Sequence, residues 1–349
     1  MKNKKNLIVL LTLIIALIII LFISLFVGSS NMSFFDQLKG LFMKGTAAQN
    51  RIMWKIRIPR IIAGVVAGAG LSLAGLLMQT TLNNPMASPS TMGVANAAVF
   101  GANLSILIFS VATTTVTSNV LKDTIVSSNP YQTSLFAFIF SILSILIVLG
   151  LCKIKNFNQS TIVLIGIALA AIWTALTTLI QYYATDIGLS QAIIWNIGDL
   201  SRATYKTDLL LFIVVLVGSI ISMLFSYKYN ALLLGSDQAK TSGVNVTFIR
   251  MMTLIISSLI TACAVSFLGV ISFVGIICPH IMKRIIGNNH KILIPTSLLS
   301  GSVLLVVADT LSRTIANGSA LPVGVITTLF GAPFFLFLIF SKRGKVKNA

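Results

Sequence analysis

The chain has 349 residues, of which 56% are hydrophobic and 9% charged, and carries a formal charge of +18. Soluble domains carry about 25% charged residues, so this composition excludes a soluble protein and describes an all-α polytopic membrane protein. The charge does not point to nucleic acid, because no basic run is interleaved with exposed aromatic residues.

No stretch is polar enough for a separate soluble domain, so residues 1–349 are expected to form a single transmembrane domain. Cys152, Cys263 and Cys278 are three in number and form no C-x-x-C pair. Neither a disulfide framework nor a metal site is expected.

Lys2, Lys4 and Lys5 precede an apolar run from Leu7 to Val27. At about 21 residues it exceeds the 7–15 of a signal-peptide core, and it reads as a retained first helix. Further spans of about 20 apolar residues fall at 58–81, 92–112, 133–151, 161–184, 209–227, 293–309 and 322–340. The stretch 251–282 is too long for one span and has basic residues on both flanks. A hairpin with Gly269 near its turn, and ends reaching about 248 and 287, keeps both flanks on one side. The total is about ten transmembrane helices with both termini cytoplasmic. The cytoplasmic side then holds fifteen basic residues and one acid, Asp237; the other side holds ten basic residues and six acids. That asymmetry is the one expected of an inserted chain.

Segment 28–57 departs from it, with Lys39, Lys44, Arg51, Lys55 and Arg57 against one acid, Asp36. Within it Met32 to Met43 has the pattern of a short amphipathic helix lying on the membrane surface. An acidic partner and lipid headgroups are both open as its counterpart. The second span is rich in small residues, among them Gly64, Ala67, Gly68 and Gly75, which permits close backbone approach within the subunit or the lining of a path. The 228–250 loop is the longest on the cytoplasmic side. A short element at Asn230 to Leu234 is followed by Gly235, a helix start at Ser236 or Asp237 and a helix end at Gly243. A structured loop of this length usually docks something.

Bond-breaking chemistry is missing. There is no G-x-x-x-x-G-K-[ST], no H-E-x-x-H and no nucleophile elbow. Asp309 stands near the membrane interior with Arg313 four residues on, on the same helix face. That pair either neutralises itself or serves a function, and it leaves little for proton or sodium coupling. His280, after Pro279, reads as a structural histidine at a helix kink.

Several segments resemble, in order, the permease family of ATP-driven importers for ferric siderophores, haem and vitamin B12. They are Arg57-Ile58-Pro59-Arg60; Gly75 to Gln79 with Asn84-Pro85-Met86-Ala87-Ser88-Pro89 and Met92-Gly93-Val94; Ala231 to Gly235 with Ala239 and Ser242-Gly243-Val244; Phe273-Val274-Gly275 with Pro279-His280; Asp309 with Arg313; Leu321-Pro322-Val323-Gly324; and Gly331 to Phe335.

The resemblance implies ten helices and a homodimer or paralogous heterodimer with a path at its interface. It also implies two cytoplasmic ATP-binding-cassette ATPases, an external substrate-binding lipoprotein and a site in the bacterial cytoplasmic membrane. It assigns Arg57, Arg60 and Arg313 to docking of the binding protein. It assigns Leu234, Gly235, Asp237, Ala239 and Gly243 to an ATPase coupling loop, and Gln159 and Ser160 to an inner gate. The implied cargo is an iron chelate: ferric siderophore first, then haem or cobalamin. No cofactor is implied. An ion-coupled secondary transporter is the alternative. Ala320, Asn83 and Ala97 depart from the family pattern.

Overall fold

The computed structural model describes residues 2–28, 32–108, 111–114, 124–127, 129–154, 157–315 and 320–340. In chain order the helices are α1 (Lys2–Phe26), α2 (Phe34–Leu41), α3 (Ala47–Arg51), α4 (Ile58–Thr81), α5 (Val94–Ile108), α6 (Pro130–Ile154), α7 (Gln159–Tyr182) and α8 (Asp186–Asn196). They continue with α9 (Tyr205–Leu224), α10 (Ser226–Leu232), α11 (Ser236–Thr241), α12 (Val246–Leu268), α13 (Val274–Ile286), α14 (His290–Thr314) and α15 (Val323–Phe340). A two-stranded antiparallel ribbon, β1 (Val111–Thr114) with β2 (Thr124–Ser127), lies between α5 and α6 in the chain.

Among the described residues seven helices are long and apolar enough to cross a bilayer: α1, the continuous segment Ala47–Thr81, α6, α7, α9, α12 and α14. Val94–Ile108 and Val323–Phe337 are apolar but shorter, and α13 has 13 residues. A 15-residue helix rises about 22 Å against a hydrocarbon core of about 30 Å, so length alone does not yield ten spans. The break expected near Gly269 is present. Gly269 takes φ 77° at the end of α12, and Phe273 takes φ 67° just before α13. The amphipathic segment forms α2, with Phe35 and Lys39 exposed and Gln37 buried. The basic tail with Lys342, Arg343, Lys345 and Lys347 lies outside the described residues, as does Lys155.

The chain divides into two compact units. The first comprises Met1–Leu76, Gly198–Asn230 and Ile271–Ala349. Its packing explains the small residues of α4. A Cβ on Gly68 would strike the Gly301 carbonyl of α14, and one on Gly75 would strike the Gly275 backbone of α13. Backbones this close leave hydroxyls within reach of carbonyls. Ser72 Oγ donates to Ser297 O at 2.7 Å, and Ser302 Oγ donates to Val65 O at 2.8 Å. In lipid, where apolar surfaces gain little by meeting, such fits and polar bridges hold helices together. Helix α1 packs on α14 but leaves most of its apolar surface exposed, as a lipid-facing span does.

The second unit comprises Leu77–Ile197 and Ala231–Val270. Helix α5 is its centre, packed on α6, α7, α8 and α12. Phe100, Phe140 and Trp173 form an aromatic cluster with ring centroids 5.0, 5.4 and 5.9 Å apart. The Trp173 indole donates to Ser144 Oγ at 3.1 Å, so its one polar atom is satisfied in the core. Gly93, at φ 78°, starts α5 against the Ala170 backbone, where a side chain would be strained and crowded.

Candidate functional site

The first unit holds a buried arginine cluster at the carboxyl end of α1. Pro59 cannot donate to the carbonyl four residues back, and the helix widens into a π-helical stretch over Ile52–Arg57 before α4. That local geometry places Arg57 and Arg60 on the protein side of the segment. Arg57, Arg60 and Arg313 are only 4, 5 and 6% exposed, and Asp309 only 1%.

Asp309 serves two of the arginines. Arg60 Nε lies 2.7 Å from Asp309 Oδ1, and Arg313 Nε lies 3.1 Å from Oδ2. Arg60 also approaches Ser312 Oγ at 3.4 Å and Asp199 Oδ1 at 3.9 Å. The other arginine nitrogens close the end of α1. Arg57 Nη1 donates to Leu25 O at 2.7 Å and to Gln37 Oε1 at 2.9 Å. Arg313 donates to Ser24 O at 3.1 Å, Val27 O at 3.0 Å and Ser24 Oγ at 2.5 Å. The last carbonyls of a helix have no partner within it and carry partial negative charge, so two guanidiniums there are both hydrogen-bond partners and counter-charges.

The family resemblance assigns these three arginines to an external partner; in this structure each also donates to acceptors within the chain. The exposed cations of the same segment are Lys39, Lys44, Arg51 and Lys55. The i,i+4 pairing of Asp309 with Arg313 is present, and Arg60 joins it from 249 residues away in the chain.

In the second unit the 231–250 loop forms α11 between two glycines with positive φ, Gly235 at 110° and Gly243 at 78°. The N-cap is Gly235, not Ser236 or Asp237: with φ positive the cap position demands glycine, and Ser236 becomes the first helical residue. Gly243 follows the helix end as expected, with Val244 N returning to Ala239 O at 3.0 Å. Ala239 is fully buried, while Leu234, Gly235, Asp237 and Gly243 are exposed. Asp237 pairs with Lys240 at 3.2 Å on the surface.

Gln159 and Ser160 open α7, whose N-cap is Asn158. Gln159 Nε2 donates to Thr81 O at 3.0 Å, and Ser160 is exposed. The second unit also contains a polar network that sequence reasoning passed over. Gln181 donates to Asn103 Oδ1 at 2.8 Å, and Asn103 donates to Asn196 Oδ1 at 2.7 Å. Asn96 donates to Thr174 Oγ1 at 2.8 Å. Asn96, Thr174, Gln181 and Asn196 help line a cleft of about 280 Å³. Amides inside apolar runs were the available signal, at Asn96 and Asn103.

No group of His, Cys, Asp or Glu able to hold a metal ion occurs among the described residues. Long apolar helices, a buried ionic cluster and a polar cleft lined by neutral side chains describe a membrane-embedded protein without a catalytic constellation among the described residues. The comparisons with known proteins agree.

The FecCD transport family profile matches residues 16–341. The ABC transporter permease protein MJ0087 of Methanocaldococcus jannaschii is 38% identical over 344 residues, covering 98% of this chain and 97% of that protein. The hemin transport system permease protein HmuU of Yersinia pestis is 32% identical over 323 residues, covering 91% and 92%. A solved inward-facing conformation of a metal-chelate type ABC transporter superposes with a TM-score of 0.79 at 26% identity, covering 96% of this chain and 99% of that one. The chain belongs to the FecCD transport family. It is an ABC importer permease of the cytoplasmic membrane, a transport component rather than an enzyme.

Proposed function

We propose that this permease carries an iron chelate inward across the cytoplasmic membrane, with a ferric siderophore as the first candidate and haem or cobalamin next. The observation that carries the reading is the family match along nearly the whole chain, from residue 16 to residue 341. The hemin-transport and metal-chelate relatives support the cargo class. In this reading residues 1–349 act as one membrane domain with both termini cytoplasmic. Helices α5, α13 and α15 complete ten membrane-embedded helices.

Two cytoplasmic ATPases, a second permease subunit and an external binding lipoprotein complete the machine. The 231–243 loop, with Leu234 and Asp237 exposed, receives the ATPase. Gln159 and Ser160 stand at the inner gate. On the outer face Lys39, Lys44, Arg51 and Lys55 attract an acidic docking surface. Arg57, Arg60 and Arg313 fix the shape of that rim, and a partner carboxylate engages them by exchange with Asp309 or the α1 carbonyls.

The ion-coupled alternative is not favoured, since Asp309 is already held by two arginines. Reconstitution of the permease with its ATPase and binding protein in proteoliposomes tests the proposal. Uptake of a ferric siderophore, haemin or cobalamin should require ATP and both partners. Uptake by the permease alone that collapses with an uncoupler would overturn it.

A further inference from the structure

Arg250 stands in the first two turns of α12 and is 8% exposed. Its guanidinium reaches in two directions. Nη1 donates to the Phe157 carbonyl at 3.0 Å, and Nη2 donates to Ser236 Oγ at 2.8 Å. No carboxylate of the described residues pairs with it; the acid of the neighbouring loop, Asp237, is occupied by Lys240. Nε is buried with no hydrogen-bond partner among the described residues. A buried cation without a counter-ion is expensive, and a hydrophobic side chain of similar size could fill the space at lower cost.

The two acceptors belong to different devices. Ser236 is the first residue of α11, set by Gly235 at φ 110°. Phe157 is buried in the turn between α6 and α7, at φ 53°, where its N–H bonds Cys152 O at 3.0 Å. The next residue, Asn158, caps α7 through Ser160 N at 3.0 Å, and Gln159 follows. One planar guanidinium therefore joins the start of α11 to the turn that starts α7. Its fork fixes the two bonds in one plane, which a lysine ammonium cannot do.

We propose that Arg250 is the positioning residue that passes displacement of the 231–243 loop to the amino end of α7, where Gln159 and Ser160 stand. This rests on the reading of that loop as the ATPase contact. A cation fits this place because it can hold a backbone carbonyl and a hydroxyl together while both move, which a packed apolar side chain does not.

The test uses the complete complex with its ATPases and binding protein in proteoliposomes, and reads solute imported per ATP hydrolysed. Arg250→Met should lower that ratio about tenfold. Arg250→Lys should restore it only in part, and Ser236→Ala, which removes one arm, should lower it less. If Arg250→Met fails to assemble, spin labels at Leu234→Cys and Ser160→Cys provide the second measurement. ATP should shift both labels together, and adding Ser236→Ala should leave the shift at 234 while reducing that at 160. An unchanged import ratio in Arg250→Met, or label shifts that stay coupled in Ser236→Ala, overturns the inference. A cross-link from Leu234→Cys to the ATPase distinguishes the two levels. Its absence removes the loop reading and this inference with it; its presence with full coupling in Arg250→Met removes only the inference.

Discussion

Replacing Asp309 by alanine exposes the energetic logic of the arginine cluster. The carboxylate holds Arg60 at 2.7 Å and Arg313 at 3.1 Å in a site that is 1% exposed. Removing one partner of a buried ion pair costs about 3–5 kcal/mol, because the remaining charge stays buried without compensation. Here the cost belongs at the lower end. Arg313 keeps Ser24 O, Val27 O and Ser24 Oγ, and Arg60 keeps Asp199 at 3.9 Å, whose side chain is 28% exposed. About 3 kcal/mol, or roughly a hundredfold in the folding equilibrium, is expected. The double variant Arg60→Met with Asp309→Leu removes both charges of the shorter pair and should be less destabilised than Asp309→Ala alone. Equilibrium unfolding in mixed micelles, followed by tryptophan fluorescence, measures both. A cost below about 1 kcal/mol for Asp309→Ala, or a double variant worse than the single, would refute the argument.

Gly301→Leu should prevent accumulation of folded protein in the membrane fraction, since its Cβ would fall on the Gly68 carbonyl and Ser72. Gly150→Ala, with nothing within 4 Å of the added carbon, should leave yield unchanged. Trp173→Ala should cost about 3–5 kcal/mol by emptying the aromatic cluster. Trp173→Phe should cost far less, the lost bond to Ser144 being worth about 1 kcal/mol; thermal stability in detergent ranks the two. At Gly243, φ 78° with open space around it makes the backbone rather than packing the constraint. Gly243→Val should uncouple ATP hydrolysis from import while Gly243→Asn is tolerated, as Asn accepts left-handed geometry; equal coupling ratios would count against it. Lys39→Glu with Lys55→Glu, at exposed positions that leave the buried cluster intact, should weaken binding-protein affinity at least tenfold in a pull-down titration, and unchanged affinity removes the docking role of the basic rim.

Local chemistry in the chain determined the membrane class, the position of most helices and the glycine-bounded element at 235–243. Apolar runs, glycine and proline act over a few residues, and their consequences can be read where they stand. The same holds for Asp309 and Arg313, which one helical turn brings together.

Tertiary structure decided what the sequence could not. It placed Arg60 beside Asp309 across 249 residues, and it turned three arginines inward. It set Gly68 against Gly301 and bound Arg250 to Phe157 and Ser236. Burial and hydrogen-bond partners depend on which surfaces meet, and a charge written in a loop-like segment looks the same whether it faces water or closes the end of another helix.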